Sequence, residues 1–212
     1  MINKISREQI GRMSMDDFSK RCLEANKAWR KSKSSSALIY NFPLSLKNES
    51  VIKAGDSLAQ GIPADQLKRV GPFLTAASPE SHIGPFSHAI DFLVPDGTGV
   101  LAAQSGVVVD IVDHFDEWGD DPAYRDKLNY VTIKHLAHDL GHSIEYSQYC
   151  HLEKNSVRFS IGSLVSEGDV IAKVGKTGWT DRDHLHFMVF ENDVKDEENP
   201  FDFRSLKINF VE

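Results

Sequence analysis

From Ala89 onward the chain breaks into short apolar segments separated by turn residues, and this pattern limits the fold more than any other feature. Residues 100–103 and 107–112 flank Ser105-Gly106, residues 130–134 alternate, and Val165-Ser166 and Val170-Ile171 bracket Glu167-Gly168-Asp169. Many short strands with few helical periods predict a mainly β fold: a twisted antiparallel sheet that curls into a half-open barrel or sandwich. Residues 201–211 supply a last edge strand.

The first third of the chain has a different period. Ser14 stands three residues before Asp17 at capping-box spacing, and Phe18, Cys22, Ala25 and Trp29 follow as one stripe of an amphipathic helix. Ser6 and Gln9 repeat the capping relation one turn earlier. The polar face mixes acids with lysines, so the stripe is expected to pack on the main domain and not on a membrane. Residues 31–36 form a serine-lysine linker, which divides the chain into an N-terminal helical extension, 1–36, and a domain, 37–212. Within the domain, residues 38–43 predict a first strand and residues 54–68 a polar turn with a short helix.

Set into this β background is a group of histidines. In an extended strand His184 and His186 project from one face, with Cα atoms roughly 6.5–7 Å apart. Zinc accepts imidazole nitrogen and carboxylate oxygen, and a catalytic zinc takes three protein ligands and leaves a fourth position to water. His88, Asp91 and one histidine of the pair satisfy that count. The other histidine of the pair and His151 then lie one shell out, able to exchange protons with the water or to stabilise an oxyanion. His88 and Asp91 are three residues apart, so on an ideal strand they face opposite ways. A bulge, or a loop position for His88 just before the strand, restores convergence; His82, ahead of the same strand, is the alternative ligand. His114, His135, His138 and His142 read as satisfied surface or core residues. Cys150 adjoins His151, but strand neighbours face opposite ways, so it reads as a small buried thiol and not a nucleophile.

The segments 87–92, 95–108, 129–135, 149–152 and 162–175, with Thr177-Gly178 and His184-Leu185-His186-Phe187, resemble in order the motifs of the lysostaphin-type (LytM-like) zinc endopeptidases. The resemblance runs roughly from Gly84 to Phe190. It implies that family's groove-bearing antiparallel sheet, with one Zn2+ per chain held by His88, Asp91 and His186. It also implies His151 and His184 as catalytic histidines and cleavage of peptide cross-bridges or stem peptides of peptidoglycan. The family spaces its first histidine and aspartate four apart, and this chain departs from that spacing. The implied alternative is an inactive domain of the same shape that binds peptidoglycan or activates another hydrolase. No His-Glu-x-x-His helix is present to supply the glutamate base of helical zinc proteases.

Composition narrows the partners. With 212 residues, 41% of them hydrophobic, the chain can bury a full core. A net charge of −7 without a basic stripe argues against nucleic acid. It also removes long-range attraction to an anionic wall, so substrate capture must be local. Cys22 and Cys150 make neither a disulfide framework nor a thiolate zinc knot. No apolar run is long enough to span a bilayer, and residues 1–7 lack the apolar core of a secretory signal, although the family acts in the cell envelope. Residues 113–126 carry many carboxylates around Trp118 without the ligand order of an EF-hand, and they are expected to form a rim loop bordering the cleft. The acidic run 193–198 reads as a solvated turn.

Overall fold

In the computed structural model of the chain, residues 4–6, 9–10, 12–29, 35–45, 56–135, 144–192 and 201–211 are described. His138, His142 and the acidic run 193–198 lie outside them, as does most of the 31–36 linker. Among the described residues, helix α1 (Met15–Trp29) precedes fifteen strands. These are β1 (Ser35–Tyr40), β2 (Leu67–Val70), β3 (Phe73–Ala76), β4 (Ile90–Phe92), β5 (Gly99–Leu101), β6 (Gly106–Val112), β7 (Trp118–Gly119) and β8 (Tyr130–Lys134). They continue with β9 (Glu145–Cys150), β10 (Leu164–Val165), β11 (Val170–Lys173), β12 (Gly178–Trp179), β13 (Leu185–Asn192), β14 (Phe203–Ser205) and β15 (Lys207–Phe210). No helix among the described residues is long and apolar enough to cross a membrane.

The principal sheet runs β10-β6-β8-β9-β13-β4-β3-β2, with β14 also on β13, and every pairing in it is antiparallel. It is open at its edges and does not close into a barrel. The turns at Ser105-Gly106 and Glu167-Gly168-Asp169 do not close hairpins: β11 pairs with β5 while β10 pairs with β6, so the left-handed turn at Gly168 (φ 84°) passes the chain between sheets. The last segment likewise splits, β14 joining β13 and β15 running parallel to β1. In place of a helix, residues 57–59 and 64–66 form single 3-10 turns.

Both faces of β13 are buried, for different purposes. Leu185, Phe187 and Val189 point into the main core with Phe92, Val108, Val131, Ile133 and Tyr149. On the opposite face, Met188 and Phe190 meet Phe18 and Cys22 of α1 together with Ile5, Ile10, Phe201 and Phe203. The helix therefore covers the Met188 and Phe190 end of a sheet face that carries His186 and Asp91 at its other end. Its start is capped as the spacing predicts: the Asp17 N–H reaches Ser14 Oγ (3.2 Å) and the Ser14 hydroxyl donates to Asp17 Oδ2 (2.8 Å). At Ser6 and Gln9 both bonds involve the backbone: the Gln9 N–H donates to Ser6 Oγ (3.3 Å) and the Ser6 N–H to Gln9 Oε1 (2.8 Å).

Two buried polar groups tie distant segments together. The Glu145 carboxylate accepts from the Ser36 hydroxyl (2.6 Å), the Ala37 N–H (2.6 Å) and the Tyr40 hydroxyl (2.9 Å), fastening β1 to β9. His135 is fully buried, with Nδ1 3.0 Å from the Ser105 carbonyl oxygen and Nε2 2.8 Å from Ser147 Oγ. It is the satisfied core histidine the sequence predicts. Burial lowers its pKa from 6.5 to about 4. An unfolded chain therefore takes up a proton at this residue that the native state refuses, and stability falls as pH drops from 6.5 toward 4. Removing this titration in His135→Gln should shrink that fall by up to about 3 kcal/mol in denaturant titrations at stepped pH; superimposable pH profiles for the two proteins would refute it.

Candidate metal centre

The site is built on one row of cross-strand neighbours. Ala76, Asp91, His186, Cys150 and Tyr130 lie opposite one another on β3, β4, β13, β9 and β8. Directly opposed residues of antiparallel strands share a face, with Cβ atoms about 4.5–5.5 Å apart. Asp91 and His186 are thus brought together by register alone, and His186 Nδ1 lies 2.9 Å from Asp91 Oδ1. His184, two residues before His186, is turned to the same side and places Nε2 3.7 Å from that oxygen.

The third partner comes from a loop. His82 lies between β3 and a 3-10 turn at Gly84–Phe86, with Nε2 3.2 Å from Asp91 Oδ1 and 3.4 Å from His186 Nδ1. Among the described residues this is the group able to hold a metal ion. Its donor triangle has edges of 2.9, 3.2 and 3.4 Å. Tetrahedral ligands at about 2.0–2.1 Å from zinc stand roughly 3.3 Å apart, so two imidazoles and a carboxylate in this triangle fit that ion. The Ser78 hydroxyl donates to Asp91 Oδ2 (2.5 Å) and leaves Oδ1 to the centre of the group.

His88 does not reach this point; the group that forms contains His82, the alternative, in its place. The strand begins only at Ile90, and no bulge turns His88 back toward Asp91. His88 is exposed beside β14, its backbone N–H donating to Ser205 Oγ (3.0 Å). The signal for His82 was in the spacing: a histidine three residues from Asp91 violates strand alternation, whereas one in a preceding loop is free of it.

His151 and His184 complete the group, their ring centroids 4.5 Å apart. His151 follows the last residue of β9 with φ 61°, a left-handed backbone uncommon outside glycine. Strand alternation ends there, so the opposite-face argument applied to Cys150 and His151 does not hold: Cys150 is buried on the same face as His186, as its cross-strand neighbour. His151 Nδ1 lies 2.6 Å from the Thr177 carbonyl oxygen and His184 Nδ1 3.1 Å from that of Arg182. Each carbonyl fixes a proton on Nδ1 and leaves Nε2 as the working atom.

Five groups share one field. Burial opposes a charge on Asp91, yet His82 and His184, with hydrogen bonds from His186 and His82, hold its pKa well below the usual carboxylate range. Burial also opposes protonation of His82, and the Asp91 carboxylate outweighs it. At His186 burial prevails over Asp91 and keeps the ring neutral. At His151 burial is joined by His184 and His186 to the same effect. A neutral imidazole is the form that ligates a metal or accepts a proton.

The expected rim is present. Trp118 and Gly119 pair with Gly178 and Trp179, and the Lys176 ammonium lies over the Trp118 ring, 4.6 Å from its centroid. An open cleft of about 270 Å³ beside His151 is lined by Asp96, Trp118, Glu153, Lys176 and Thr177 among others. On the opposite rim Arg182 donates to the carbonyls of Leu58 and Gln60 (3.2 Å each), anchoring residues 57–60 next to His184.

The chain is similar to the catalytic domain of lysostaphin from Staphylococcus simulans (24% identity over 48% of this chain and 65% of that one, TM-score 0.36). It is also similar to a zinc-containing peptidase from Vibrio cholerae (26%, 60% and 34%, TM-score 0.39) and to the catalytic domain of the prophage-encoded M23 protein EnpA from Enterococcus faecalis (20%, 60% and 88%, TM-score 0.40). The chain spans about two thirds and one third of the length of the first two. The model of peptidase family M23 matches residues 85–200, which hold Asp91, His151, His184 and His186 and begin three residues after His82. The chain belongs to peptidase family M23.

Proposed function

We propose that the chain is a zinc-dependent endopeptidase that hydrolyses peptide bonds in peptidoglycan cross-bridges or stems, with residues 37–212 as the peptidase domain and 1–36 as an extension packed on it. The observation that carries this reading is the donor triangle of His82, Asp91 and His186 with two further imidazoles beside it. A zinc ion, one per chain, supplies a lowered pKa for water and polarisation of the scissile carbonyl when bound. His82, Asp91 and His186 would hold it. His184, its Nδ1 proton engaged by the Arg182 carbonyl, takes the proton of the attacking water at Nε2. The proton taken up by His184 would then pass to the leaving amine, directly or through Nε2 of the neighbouring His151, whose Nδ1 proton is fixed in the same way by Thr177. The cleft at Thr177 receives the peptide beside it.

Elemental analysis of purified protein tests the ligands. Wild type and His88→Ala should each retain one zinc per chain, and His82→Ala and His186→Ala should lose it; zinc lost with His88 and kept without His82 would reverse the assignment. The base has its own test. His184→Ala should keep its zinc while hydrolysis of wall fragments falls by about 10²–10⁴, and undiminished cleavage would remove His184 from the mechanism.

A further inference from the structure

We infer that helix α1 is a working part of the metal centre, because it seats the loop that carries His82. This rests on the metallopeptidase reading above. The three donors of the site are held by unequal means. Asp91 and His186 sit opposite each other in hydrogen-bonded strands, so sheet register fixes both. His82 has no strand to hold it; its segment runs free of the ladder from Ala76 to the 3-10 turn at Gly84. Upstream, the His82 and Ser81 N–H groups turn back to the Ser78 carbonyl (2.7 and 3.0 Å), and the Ser78 side chain rests on Asp91.

Downstream the hold comes from the N-terminal helix. Gly84, two residues after His82, has φ 56°, and a Cβ there would collide with the sulfur and Cβ of Cys22. The helix thus lies directly against the loop backbone, at a point where glycine is required both by conformation and by space. Ile83 packs into the cluster formed by Phe18 and Cys22. Phe86 meets Phe18 on one side and Phe203 on the other, with ring centroids 6.1 and 5.4 Å apart. Cys22 itself is fully buried, and burial pushes its thiol up to about 12, so it serves as packing and not as a ligand. Cys22 and Phe18 are positioning residues: they touch neither metal nor substrate, and they set where His82 can stand.

The test compares zinc affinity, by competition with a chromophoric chelator, against thermal stability in the full chain. Cys22→Leu, which forces the helix off Gly84, should weaken zinc binding at least tenfold, whereas Cys22→Ala should stay within about threefold of wild type. Val108→Ala, a cavity in the main core away from this loop, should lower the melting temperature and leave zinc affinity unchanged. If Cys22→Leu does not fold, Phe18→Leu replaces it, with at least a threefold loss expected. A folded Cys22→Leu, or Phe18→Leu in its place, that binds zinc as wild type does would overturn the inference. So would Val108→Ala weakening zinc as much as they do. Wild type that binds no zinc would sink the metallopeptidase reading and this one together, whereas normal wild-type binding with unaffected helix variants sinks this one alone.

Discussion

The arrangement of the site depends on one buried carboxylate oxygen. Asp91 Oδ1 has imidazole nitrogens of His186, His82 and His184 at 2.9, 3.2 and 3.7 Å, in a place where the side chain is nearly cut off from water. A buried anion is expensive unless paired and hydrogen-bonded. Here the histidines and Ser78 supply that compensation, and Asp91 stays ionised against its own burial. Because one anion cannot fully satisfy several imidazoles of which some are neutral, the group has the charge and geometry of a cation site. Two neutral rings and a carboxylate would cancel about half of a divalent ion's charge and leave the rest for polarising substrate and water.

Around that point the fold divides its labour between precision and adjustability. Register places Asp91 opposite His186, and a one-residue slip of either strand would send its side chain to the core face. The other functional side chains come from outside the ladder: His82 from a loop, His151 from a left-handed residue past the end of β9, and His184 from the residue before β13. Each of these is fixed by a specific contact, whether the helix at Gly84, the Thr177 carbonyl or the Arg182 carbonyl. The helix is therefore more than a cap on exposed sheet. One end of the site-bearing face is closed by α1 and its aromatic neighbours.

The amino-acid sequence by itself determined the β class, the capped start of the N-terminal helix with Phe18 and Cys22 on its apolar stripe, and His135 as a satisfied residue outside the site, whereas Asp91, His151, His184 and His186 were legible through the order of motifs shared with the lysostaphin-type family. The former follow from local rules, periodicity and capping spacing, which act within a few residues and survive without knowledge of the partner strand. Tertiary structure decided what those rules do not reach. The choice of His82 over His88 turned on where a loop between β3 and β4 folds back, and no period governs a loop. The partners of β10, β11, β14 and β15 were decided by long-range pairing, since the turns between them look alike whether or not they close a hairpin. The approach of Cys22 to Gly84 joins residues sixty-two positions apart, a contact set by packing of whole elements and invisible to any local pattern.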